Sequence, residues 1–288
     1  IDLLIRRNIR ILEKKYPQRF GDPHNPLLLS VRSGAPLSMP GAMNTFLNIG
    51  MNDELTESLS QKPNFKWTAW DCYRRLLQSW GMAFGINRDV FDQLIIDFKN
   101  RYRVQLKTEF TAQQMREIAF AYKAVLADHQ VCFEQDLYQQ VRIALRNVIH
   151  SWDTERAILY RKQMEIADEW GTAVILQKMA FGNISLQSGS GVVFTHNPAS
   201  KSSGIQLNGD YTLCSQGEDI VGGLVNTLPV SQSQFHTHKT EELENSLERK
   251  FPKIYERLQH YANLLLDSYG FNHQEIEFTF ESPEAHDL

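Results

Sequence analysis

Apolar residues recur at Leu3, Leu4, Ile9 and Leu12 with Arg and Lys between them, a helical period that Pro17 stops. The run "LLLSV" at 27–31 then reads as a short buried strand, followed by a loop rich in Gly, Pro and Ser. From about 53 to 165 the pattern is helical throughout: "WDCYRRLLQSWGMAF", "RDVFDQLIIDFKNRYRV", "TAQQMREIAFAYKAVLADHQ", "LYQQVRIALRNVIHSW" and "TERAILYRKQME". Thr111 with Gln114 forms a capping-box start, and Asp153 or Thr154 can cap the last of these helices. Trp67, Trp70, Tyr73, Trp80 and Phe84 are placed in the core.

After Asp168 the period drops to two. "GTAVILQKMAF", "SGVVFTHNP", "GIQLNGDYTLCSQ" and "EIEFTF" are strand patterns separated by Gly, Ser and Asn. One long helix intervenes, "SLERKFPKIYERLQHYANLLLDSYG", with Gly270 as its C-terminal cap. A helical lobe beside a strand-rich lobe predicts an α+β fold.

Composition narrows the chemistry mainly by exclusion. The 288 residues are 42% hydrophobic and carry a formal net charge of -4, so no broad basic field points to nucleic acid. Cys72, Cys132 and Cys214 lie far apart without CxxC spacing, which argues against a disulfide framework or zinc cluster and for a reducing, cytoplasmic setting. His236 and His238 in "SQFHTHKTEE" lack supporting ligands and are expected in a solvated loop. No apolar run approaches the ~18–20 residues of a membrane helix, so no membrane partner is expected. The chain begins at Ile1 and stops at Leu288, which fits a segment of a larger protein.

Three places carry candidate chemistry. Arg32 ends the "LLLSV" strand and opens "SGAPLSMPGAMNT"; its fork of donors suits phosphate oxygens, and small neighbours let backbone N–H groups approach an anion. The same composition also fits a plain buried turn. Glu275 and Glu277 lie at i and i+2 of a strand and so share a face, where Mg²⁺ would relieve their repulsion; a solvated edge strand is the alternative. The Gly, Ser and Asn of "AFGNISLQSGSGVVFTHNPAS" fit a phosphate lid or a long hairpin.

In order along the chain stand "LLLSVRSGAPLSMPGAMNTFLNIGMND", "DCYRR", "SWDTERAILYRK", "EWGTAVILQKMAFGN", "SGSGVVFTHNP", "QGEDIVGG" and "EIEFT". Together they resemble the nucleotide-binding domain of the pyruvate phosphate dikinase family, within the group that includes phosphoenolpyruvate synthase and rifampicin phosphotransferase. The resemblance covers nearly the whole chain. It implies an ATP-grasp-like, two-lobed fold: 1–52 as first lobe with the phosphate loop, 53–138 as helical subdomain, 139–168 as return to the first lobe, and 169–288 as second lobe. It also implies that ATP and Mg²⁺ are held between the lobes. A phosphoryl group then passes to a histidine on a separate swivelling domain and finally to pyruvate at a third.

Carried over residue by residue, the resemblance makes Arg32 the phosphate-binding and catalytic arginine, with Ser38, Met39, Gly41 and Thr45 in the loop beside it. Gln177 and Met179 match the hinge that reads the adenine edge. Asp210 stands on the nucleotide side where glutamate is usual, and Glu275 and Glu277 match the acidic pair near Mg²⁺, Glu277 with a catalytic role. His196 stands where relatives commonly have arginine, exchanging a permanently charged guanidinium for an imidazole. The family's Gly-Gly-Lys segment, its Leu-Gln-Thr-Arg and its histidine and pyruvate domains are not in these 288 residues, which fits the middle of an ATP-grasp domain cut from something larger; a homodimeric parent is compatible with the resemblance. Two alternatives stay open: a phosphoenolpyruvate synthase or another dikinase with a different acceptor, and a non-catalytic nucleotide sensor.

Overall fold

The computed structural model describes residues 1–35, 37, 39, 41–196, 204–217, 225–234 and 244–288. Ser38, the histidines 236 and 238, and most of "QGEDIVGG" lie outside the described residues. Helices and two small antiparallel sheets make the fold α+β, as the patterning predicts. The chain divides into two compact units, Ile1–Met179 and Ala180–Leu288.

In the first unit β1 (Leu29–Gly34) is the middle strand of three, between β2 (Thr45–Ile49) and β3 (Ala173–Lys178). Residues 173–178, at the head of the segment expected as second lobe, thus hydrogen-bond to β1. Leu29, Val31, Phe46 and Ile49 are fully buried. Helices α3 (Lys66–Ala83) and α6 (Leu137–His150) pack against this sheet. The helical region adds α2 (Asp53–Ser60), α4 (Arg88–Tyr102) and α5 (Ala112–Asp128), and α3 packs along α5. Trp70, Tyr73 and Trp80 are core as expected. Trp67 is only half-buried and Phe84 is 46% exposed, because Phe84 is the residue at which α3 ends.

The helix starts follow local chemistry. Thr111 Oγ1 accepts the Gln114 N–H at 3.2 Å while Gln114 Oε1 accepts the Thr111 N–H at 2.8 Å, the reciprocal box read from sequence. Thr154 takes the cap position of α7 (Glu155–Gln163), but its hydroxyl turns back to the Ser151 carbonyl at 2.8 Å and caps nothing. Helix α1 (Asp2–Lys15) departs from expectation more plainly. Ile5 and Ile9 are the buried residues, and Leu3 and Leu4 stay exposed. The one-face stripe at i and i+4 wins over the two adjacent leucines, which a helix cannot bury together on a narrow contact.

The second unit is a four-stranded sheet in the order β6-β5-β4-β7, with β4 Gly189–Phe194, β5 Asn208–Leu213, β6 Leu228–Pro229 and β7 Glu275–Phe280. The expected long helix is broken. Pro252 starts α9 (Pro252–Asn263) after the single turn α8 (Leu247–Lys250), and a wide turn at Leu264–Ser268 follows. Proline suits a first helical turn, where its missing N–H costs nothing, and it cannot continue α8. Gly270, with φ of 66°, comes just after. Ile254, Leu258 and Ala262 of α9 join Val193, Tyr211, Phe278 and Phe280 in one core on one face of the sheet. Gly191 is required there: a Cβ would come within 2.3 Å of the Phe278 ring.

Candidate functional site

Strand register decides which predicted residues meet. In the first unit Arg32 pairs with Thr45 on one side and Ile175 on the other, so all three project from the same face. Gln177, two residues on from Ile175, continues that face, and Arg32, Thr45, Ile175 and Gln177 are all exposed. The alternation that buries Leu29 and Val31 therefore delivers Arg32 to an open surface. No described residue forms an ion pair or hydrogen bond with the Arg32 guanidinium, so its donor fork is available for a ligand.

The loop that joins β1 to β2 follows Gly34 and ends at Thr45, both strand residues of this sheet. Gly41 has φ of 69°, a left-handed conformation that costs glycine nothing and strains a side chain. Met39 is 8% exposed and packs with Ala42 and Met43 against Trp152, Ala157 and Ile166. Met39 therefore contributes its backbone and not its side chain to the loop's open edge. Met179 is buried too, and its N–H is committed to the Leu28 carbonyl at 2.9 Å, which leaves Gln177 as the exposed member of the hinge pair.

In the second unit Asp210, Val192 and Glu277 are partners in one row across β5, β4 and β7, and Asn208, Phe194 and Glu275 form the next row. These side chains share the face opposite Phe278 and Phe280. Glu275 and Glu277 are exposed, and no described cation pairs with either. Farther along the same face Ser190 Oγ and Thr279 Oγ1 lie 3.1 Å apart, and Ser190 Oγ donates to the Ser215 carbonyl at 3.0 Å. His196 meets His273 in a stacked pair with centroids 4.8 Å apart, and Thr195 Oγ1 lies 3.3 Å from His273 Nδ1. The histidine pair escapes sequence reading because His273 becomes its neighbour only through the β4–β7 register.

The acidic face tests the fit for Mg²⁺. Among the described residues no group of three or more His, Cys, Asp or Glu could hold a metal ion by itself. Two exposed carboxylates on one strand nevertheless match what Mg²⁺ asks of a protein when it also binds nucleotide phosphates and water. Glu275 and Glu277 are the residues that would hold it.

Elsewhere the strongest electrostatics belong to structure. Asp71 on α3 is fully buried. Burial alone would raise its pKa, yet Arg75, Lys107 and Arg74 hold it well below the usual carboxylate range. Burial, with the neighbouring Asp53, raises the Tyr73 hydroxyl, and burial pushes Tyr122 up to about 12. Among the described residues no helix is long and apolar enough to cross a membrane. Cys72, Cys132 and Cys214 are not joined in disulfides.

Residues 3–256 match the family described as "Pyruvate phosphate dikinase, AMP/ATP-binding domain". Among curated proteins the chain is 36% identical over 280 residues to the pyruvate, phosphate dikinase of Clostridium symbiosum, covering 96% of this chain and 30% of that protein. It is 33% identical to the enzyme of the same name from Rickettsia conorii, over 99% of this chain and 31% of the relative. The chloroplastic pyruvate, phosphate dikinase of Mesembryanthemum crystallinum is 36% identical over 96% of this chain and 28% of its own length. The chain thus spans about a third or less of these relatives. With the family matched across residues 3–256 and dikinases aligned along nearly its whole length, the chain belongs to the pyruvate phosphate dikinase AMP/ATP-binding domain family.

Proposed function

We propose that this chain binds ATP as the nucleotide-binding portion of a dikinase-type phosphotransferase, in an ATP-grasp organisation with the helices of 53–138 as an insert. The observation that supports the reading is the exposed face of the first sheet, which Arg32, Thr45 and Gln177 share and from whose strands β1 and β2 the Gly41 loop extends. In this reading Arg32 and the loop N–H groups, Ser38 among them, take the phosphates, while Gln177 and the Met179 carbonyl read the base. Glu275 and Glu277 belong to the cation side, and Asp210, across Val192 from Glu277, belongs to the nucleotide side. Bound Mg²⁺ would offset charge on the phosphates.

Phosphoryl transfer asks a protein to position charge more than to form bonds. Arg32 holds a fixed cation toward the oxygens, and Glu277 keeps a carboxylate in the row that runs through Val192 to Asp210. The acceptor is then a histidine of a further domain in the parent, with pyruvate as the final acceptor. Titration calorimetry of this chain with ATP, with and without Mg²⁺, tests the binding half of the reading. Transfer of label from γ- or β-labelled ATP to a histidine of the full-length parent tests the rest. His196, in the place of an arginine, favours a second reading as a nucleotide sensor; ATP binding without label transfer in the intact parent would select it.

A further inference from the structure

The loop between β1 and β2 does not hang free. Its underside, Met39, Ala42 and Met43, is buried on Trp152, Ala157 and Ile166, with Ala35 and Tyr160 at the margin. Trp152, Ala157, Tyr160 and Ile166 lie in the segment 151–166, which follows α6 and includes α7. Trp152 is itself fixed from several sides. The Arg161 guanidinium lies 4.3 Å over its ring, Arg161 Nη1 donates to its carbonyl, and its indole N–H donates to the Asp168 carbonyl at 3.1 Å. Arg161 Nε in turn donates to Asp168 Oδ1 at 2.8 Å.

At the end of the loop stands one polar tether. Ser151, 1% exposed, donates its only hydroxyl proton to the Val148 carbonyl at 2.7 Å, and its oxygen accepts the Asn44 N–H at 3.1 Å. Donation to the last turn of α6 orients the lone pairs toward Asn44, the residue before Thr45 and the start of β2. A backbone cradle for an anion works only if its N–H groups are held in place before the ligand arrives, because ordering them on binding subtracts from affinity.

We propose that Ser151 is a positioning residue for the nucleotide phosphates: through Asn44 it seats the phosphate loop on the Trp152 platform without touching the ligand. The proposal rests on the ATP reading above and adds a residue to which that reading gives no role. Its test uses Ser151→Ala, with Ser151→Thr as the variant that keeps the hydroxyl. Two measurements are made on this chain: amide hydrogen exchange without ligand, and calorimetry with ATP and with adenosine.

In Ser151→Ala, exchange should accelerate at residues 41–45 and stay unchanged along α3. ATP should bind about 3- to 10-fold more weakly, the worth of one hydrogen bond. Adenosine, which has no phosphate to seat, should change less than about 2-fold on the same scale, and Ser151→Thr should restore both readouts. Unchanged exchange at 41–45 overturns the proposal, and so does equal weakening of ATP and adenosine. If the unaltered chain binds neither nucleotide, the ATP reading fails and this role with it, while the exchange result still reports separately whether Ser151 holds the loop.

Discussion

Asp71 lies at zero exposure in the helical region with three cations around it: Arg74 at 2.8 Å, Arg75 at 2.9 Å and Lys107 at 3.5 Å. Glu275 and Glu277 lie on an exposed strand face with no described cation beside them. The first set of charges is consumed internally. Arg74 also reaches Gln78 Oε1 at 3.0 Å and sits over the Tyr122 ring, so that "DCYRR" joins α3, α5 and the Lys107–Glu109 turn. The second set repels itself and gains nothing from the fold. Arg32 behaves like the second set, exposed and without an ion pair among the described residues. Charge that a fold neutralises serves the fold, and charge left in the open at a cost in stability is available to a ligand.

The sharpest way to break this comparison is Asp71→Asn. It removes the one carboxylate from a buried site and leaves its cations uncompensated, which costs about 3–5 kcal/mol. Denaturant unfolding followed by far-ultraviolet circular dichroism measures it, and a loss below about 1 kcal/mol, the ordinary range of single substitutions, would show that the network contributes little.

The same carboxylate fixes an acid dependence. Its folded pKa is depressed, so its stabilisation is fully present above the unfolded value of about 3.9 and is lost as pH falls through the folded value. Unfolding free energy should therefore drop below about pH 4, by at most about 1.4 kcal/mol per pH unit for this one proton. Asp71→Asn should lack that part of the slope.

Arg32→Ala is the opposite case. Removing an exposed cation that has no partner among the described residues should shift stability by less than about 0.5 kcal/mol. Loss of charge-assisted hydrogen bonds to phosphate should weaken ATP about 10- to 100-fold. Calorimetry and a thermal melt on the same sample check both. A variant that melts early and binds ATP normally would move Arg32 into the structural set.

Much of this contrast is legible in the sequence, and the reason is local. Alternation places Glu275 and Glu277 on one face without knowledge of any neighbour, and Thr111 with Gln114 announces a capped helix within four residues. What sequence does not reveal is pairing at a distance. Thr45 joins Arg32, and Asp210 joins Glu277, only through strand register. Ser151 and Asn44 are 107 residues apart, and nothing in either local pattern points to the other. Asp71, Arg74 and Arg75 have the i, i+3, i+4 spacing of a helical ion cluster, yet that spacing is usually a solvated face. Only the packing of α5 and Lys107 over it makes it a core.

The smallest expected effect divides the two sets most finely. Residues i and i+2 of a strand stand about 6.7 Å apart, where two unit charges in water repel by roughly 0.6 kcal/mol. Glu277→Gln should therefore raise stability by a few tenths of a kcal/mol at low salt, and screening over a Debye length of about 8 Å should reduce the gain at physiological ionic strength. A stabilising substitution at a carboxylate is the opposite of what Asp71→Asn delivers. It should also reduce the enhancement of ATP binding by Mg²⁺, read as the ratio of affinities with and without the ion. If stability falls and that ratio holds, Glu277 belongs with Asp71 as a structural charge; if stability rises and the ratio falls, the carboxylate is kept for the cation at the fold's expense.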